Sequence, residues 1–103
     1  MKQHIKIYFD ALGLDPYDNR QECELTGFIG VVDIHHIQRR GMGGSKKLDR
    51  IENLMALNRK DHDYLGEKQH FKSMLFRKHM HFLERNNVKF DKEYMLNQIA
   101  RYE

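Results

Sequence analysis

The side chains best suited to chemistry fall in three short pieces of the chain: Asp33-Ile34-His35-His36, Asn53 and His62. Seventeen positions separate His36 from Asn53, and nine separate Asn53 from His62. A histidine exchanges a proton near neutrality, so it suits the task of taking a proton from an attacking water. Imidazole nitrogen is also a good ligand for zinc, nickel and similar ions, and less so for magnesium. A divalent ion can offset negative charge on a leaving oxygen. Together these parts meet the needs of phosphodiester hydrolysis: a water, a base and a positive charge at the leaving group. If Asp33 to His36 is extended, His35 and His36 point to opposite faces. One is then placed to bind metal while the other acts as base. Asp33 shares a face with His35 and is placed to hold its other ring nitrogen. A helix carrying His62 would close the metal site.

The elements that must position these residues can be read from pattern. Ile5, Tyr8, Phe9 and Leu12 fall at helical spacing, with Gly13 as the stop. Asp15-Pro16 opens a loop that runs to about Gly27. Phe28 to Ile34 is rich in β-branched and apolar residues and reads as a strand. Gly41-Met42-Gly43-Gly44-Ser45 reads as an irregular loop. Ile51 to Leu57 gives a second strand, with Asn53 near its start. Asn58, with Asp61 three residues on, predicts the start of a helix that carries His62 to about Leu65. Phe71, Met74, Leu75, Phe82 and Leu83 fit one face of a longer helix that ends at Asn86-Asn87. Asp91 caps a last helix with Met95, Ile99 and Tyr102 on one face. His4, His70, His79 and His81 read as structural or exposed.

The chain has 103 residues, which predicts one domain, and its formal net charge is +3. The charge is concentrated: Arg39, Arg40, Lys46, Lys47 and Arg50 lie close together, against the single acid Asp49. Such a run suits contact with phosphates. Cys23 is the only cysteine, so no intrachain disulfide can form. The opening residues carry Lys2 and Lys6 and do not read as a signal peptide, and no apolar run reaches membrane-spanning length. The expectation is a soluble, cytoplasmic protein.

The string Val32-Asp33-Ile34-His35-His36-Ile37 leads into Arg40-Gly41-Met42-Gly43-Gly44, followed by Glu52-Asn53-Leu54-Met55-Ala56-Leu57 and His62. This ordered set resembles the HNH, or His-Me finger, nuclease family, over about residues 23 to 66. The resemblance implies a ββα-metal core at about residues 28 to 66, and with the N-terminal helix and the C-terminal helices from about 67 to 103 read from pattern the expected fold class is α+β. It further implies His36 as general base and His35 and His62 as metal ligands. Asn53 becomes the residue that braces the loop against the histidine strand. The implied cofactor is one divalent ion (magnesium, manganese, nickel or zinc), and the implied products carry 5′-phosphate and 3′-hydroxyl ends.

The sequence departs from the family in two places. Many relatives carry two Cys-x-x-Cys pairs that hold a structural zinc. The corresponding strings here are Cys23-Glu24-Leu25-Thr26 and Asn58-Arg59-Lys60-Asp61, so a tetrathiolate site is not available. Some relatives also place a metal-binding histidine one turn after the helix ligand, where this chain has Gly66. His70, eight residues beyond His62, lies about 12 Å along a straight helix and is out of reach unless the helix breaks at Gly66. Asp33 or water is then the remaining candidate for that ligand position. The expected function is a metal-dependent endonuclease acting on DNA, with Arg39, Arg40, Lys46 and Lys47 on phosphates, and RNA stays open as a substrate. The alternative is a module that binds nucleic acid without cutting it.

Overall fold

The computed structural model describes residues 2–18, 20–39, 46–60 and 71–103. Among these, the chain forms a small α+β domain with three helices and two two-stranded antiparallel sheets. Helix α1 spans Gln3–Leu12 and ends at Gly13, whose φ of 69° is the left-handed geometry that glycine adopts without strain. Strands β1 (Gln21–Glu22) and β2 (Ile29–Gly30) form a short ribbon. Strands β3 (Val32–His36) and β4 (Leu54–Asn58) form the central hairpin. Helices α2 (Lys72–Arg85) and α3 (Lys92–Tyr102) follow.

Two expected strands have different bounds from those the pattern suggests. The apolar run from Phe28 to Ile34 is not one strand. It changes partner at Val31, pairing first with β1 and then with β4. Its first half points outward: Phe28, Ile29 and Val31 are 63%, 57% and 68% exposed. Ile51–Asn53 is a 3-10 turn, and β4 begins only at Leu54, so Asn53 precedes the strand. The region expected to be a loop up to Gly27 contains β1. Its tight turn is closed by the Gly27 amide donating to the Cys23 carbonyl at 2.8 Å, with Gly27 at φ 78°.

The hairpin has two buried faces. Asp33, His35 and Ile37 alternate with Val32, Ile34 and His36, as a strand requires. The register sets His35 opposite Met55 and His36 opposite Leu54. On the His35 side, Ile37, Met55 and Leu57 pack with Cys23, Leu75, Phe76 and Met95. On the His36 side, Leu54 and Ala56 pack with Tyr8 and Phe9 of α1 and with Phe82 and Leu83 of α2. Each such large apolar side chain contributes about 1.5–3 kcal/mol when removed from water. Helix α2 feeds both faces and therefore clamps the hairpin against α1 and α3. Asp91 accepts from the Tyr94 amide at 3.0 Å and caps α3. None of the described helices is long and apolar enough to cross a membrane.

Candidate active site

His36 ends β3 on the face covered by α1. Its Nε2 lies 2.7 Å from Asp49 Oδ1, and the two side chains are 18% and 8% exposed. A carboxylate on one ring nitrogen fixes the proton there and leaves Nδ1 as the nitrogen available for proton exchange. The His4 ring of α1 packs against His36 with 4.7 Å between centroids and a tilt of 47°. These residues border a groove of about 860 Å³ with Lys2, Gln3 and Lys46. That is room for a small ligand or for one unit of a polymer. Asp49 had a visible signal in the sequence, as the lone acid in a basic run. Its pairing with His36, thirteen positions away, had none.

Asn53 holds the ground beneath this site. It is fully buried, and its Oδ1 accepts from the Gln38 amide at 2.7 Å. Its Nδ2 donates to the carbonyls of Gln38 at 3.1 Å and Leu48 at 3.0 Å. The Ile37 amide also donates to the Asn53 carbonyl at 2.9 Å. The segment leaving β3 is thereby tied to the turn that enters β4, which keeps His36 and Asp49 in one frame. Leaving any of these buried groups unpaired costs about 1–3 kcal/mol.

His35 lies on the opposite face and is buried. Asp33, on the same face, accepts two hydrogen bonds from Arg59, at 2.6 and 3.0 Å. His62, Arg40, Gly41, Gly43, Gly44, Asp61, Gly66 and His70 lie outside the described residues. Among the described residues, no three His, Cys, Asp or Glu side chains are grouped for a metal. Of the expected phosphate contacts, Lys46 borders the His36 groove, while Arg39 and Lys47 are exposed.

A second histidine–carboxylate pair lies in the core. His79 and Glu24 have fully buried side chains, with Nδ1 to Oε1 at 2.5 Å. The other ring nitrogen of His79 donates to the Ile51 carbonyl at 2.6 Å. Tyr8 donates to Glu24 Oε2, and so does the Ala56 amide at 3.1 Å. Burial alone would disfavour the charged ring. The Glu24 carboxylate and its hydrogen bond, the Ile51 carbonyl and Glu52 outweigh that, and the His79 pKa is raised. Burial, reinforced by Glu24, pushes the Tyr8 hydroxyl far above its usual range, so it stays a donor. A sequence signal was present: His79 falls on the apolar stripe of α2 with Leu75, Phe76 and Leu83. Tyr8 carries the same kind of signal on the stripe of α1, and Glu24 carries none.

Cys23 and Asn58, which the resemblance sets at the first positions of the two Cys-x-x-Cys pairs of the family, lie against each other, with Asn58 Nδ2 at 3.8 Å from Cys23 Sγ. Comparison with protein-family models, with curated proteins and with solved structures finds no match.

Proposed function

We propose that this protein is a metal-dependent endonuclease that hydrolyses phosphodiester bonds in DNA, with His36 as general base and a ββα-metal core around the β3–β4 hairpin. The observation that carries the reading is the His36–Asp49 pair at the edge of a groove bordered by lysines. A histidine with one nitrogen held by a carboxylate and the other available is arranged to take a proton from water. Two further observations support it. Asn53 makes the bracing hydrogen bonds that the resemblance assigns to it. Cys23 and Asn58, the positions the resemblance aligns with the family's two Cys-x-x-Cys pairs, lie against each other.

His35 and Asp33 offer one imidazole nitrogen and one carboxylate on a common strand face, and both donor types suit a divalent ion. With His62 they would hold the metal. Arg59 competes for Asp33, but its side chain is 75% exposed. The pair is bidentate, so a bound cation would have to displace both Arg59 hydrogen bonds to reach the carboxylate. When bound, the ion supplies positive charge at the phosphate and the leaving 3′ oxygen. His36 accepts the water proton at Nδ1. Asp49 fixes the ring and stabilises the imidazolium that results. Asn53 prevents the loop from carrying either residue away.

The test is plasmid cleavage by the purified protein with magnesium, manganese, nickel or zinc, beside a DNA gel shift. Nicking or cutting with one of these ions, abolished by EDTA, is the expected result. A DNA shift without cleavage under any ion would replace this reading with that of a non-cutting binding module.

A further inference from the structure

The groove at His36 has two walls, and only one of them follows from the nuclease pattern. His36, Lys46 and Asp49 come from β3 and the segment before β4, whereas Lys2, Gln3 and His4 come from the first turn of α1. The apolar stripe of α1 (Ile5, Phe9 and Leu12, with Tyr8) packs on the core. His4 instead turns to the groove and rests on the His36 ring, with 4.7 Å between centroids. The charge balance of the walls is lopsided. Among the described residues that line it, Lys2 and Lys46 are exposed cations, His4 adds an imidazole, Ile7 is apolar, and the one acid, Asp49, bonds His36 at 2.7 Å. A groove of this composition suits a polyanion.

We propose that the first turn of α1 is a DNA-phosphate site, in which Lys2 and His4, facing Lys46 across the groove, grip the backbone on either side of the bond presented to His36. The identity of the ligand rests on the nuclease reading. The gripping residues rest on the groove itself. This gives α1 a role beyond packing: it orients the strand so that the scissile phosphate meets the available nitrogen of His36.

The test is fluorescence anisotropy of a short labelled DNA duplex with the full chain, in EDTA so that cleavage is not read. Lys2→Ala/His4→Ala should bind about tenfold more weakly than wild type. Its plot of log affinity against log salt should be shallower by roughly one to two, the slope lost with one or two phosphate contacts. Lys2→Ala alone, which removes an exposed side chain, should show a smaller weakening in the same direction. Lys2→Arg/His4→Lys should retain binding. Lys89→Ala removes one exposed charge away from the groove and should change little. Wild-type affinity in the double variant, equal weakening in Lys89→Ala, or no duplex binding by wild type would each overturn the proposal. Binding that depends on Lys2 and His4 without cleavage under any ion would leave this site standing and remove the hydrolase reading. Cleavage by wild type with unchanged binding in the variants would do the reverse.

Discussion

Among the described residues, two short histidine–carboxylate pairs have nearly the same geometry and opposite surroundings. His36 and Asp49 are 2.7 Å apart at the side of a groove, and His79 and Glu24 are 2.5 Å apart where no solvent reaches. In the core pair both ring nitrogens are engaged, by Glu24 and by the Ile51 carbonyl, and the carboxylate takes two further donors. A carbonyl can only accept, so the His79 ring must carry its proton there. No nitrogen is left for exchange with a substrate. In the groove pair, Asp49 holds one nitrogen of a ring that borders open space. A short histidine–carboxylate contact is therefore not a catalytic signature in itself. What separates the two is whether a ring nitrogen can reach water.

The core pair should show its role in stability. It joins α1, the β1–β2 turn, the turn before β4, β4 itself and α2. His79→Ala leaves the Glu24 carboxylate buried without its cation, and the expected loss is about 3–5 kcal/mol, read from urea or thermal unfolding. For a 103-residue domain that can exceed half of the total stability.

The pH dependence sharpens the same contrast. The His79 pKa is raised on folding, so the folded state binds that proton more tightly than the unfolded chain. Its contribution is fully present below the unfolded value, about 6.5, and is lost as pH rises through the higher folded value. The stability difference between wild type and His79→Gln, measured by urea unfolding from about pH 6 upward, should shrink with increasing pH. A difference that grows with pH would contradict the charged assignment.

At the groove, Asp49→Asn should leave the fold intact and slow cleavage by about 10- to 100-fold, as is typical when a carboxylate that orients a functional histidine is lost. Single-turnover rates with DNA binding measured in parallel will separate this from weakened binding. The smallest effect is expected at the start of α3. Asp91→Ala removes the cap of α3 and should cost about 1 kcal/mol of stability with no change in cleavage rate.

The helices were the most legible part of the sequence, because local chemistry decides them. Gly13 stops α1, Asn86-Asn87 end α2 and Asp91 caps α3, each where the pattern places it. The strands were less legible. Val31 and its neighbours look like core residues and are exposed, because partner exchange between β1 and β4 is a long-range event. The 3-10 turn at Ile51–Asn53 is held by Asn53 bonds to Gln38 and Leu48, which no local propensity encodes. In the candidate site, His35, His36 and Asn53 stood out by type and spacing. Asp49 is noticeable only as a charge, and His4 reads as structural or exposed. Both become part of the groove only after the chain between β3 and β4 folds back and α1 docks on the hairpin.

The measurement that bears most directly on the central claim is single-turnover DNA cleavage by His36→Ala, with DNA binding and divalent-metal binding measured on the same protein. The account predicts that both kinds of binding persist while cleavage falls by about 10²- to 10⁴-fold, the usual contribution of a positioned general base. A variant that cuts at the wild-type rate would contradict it.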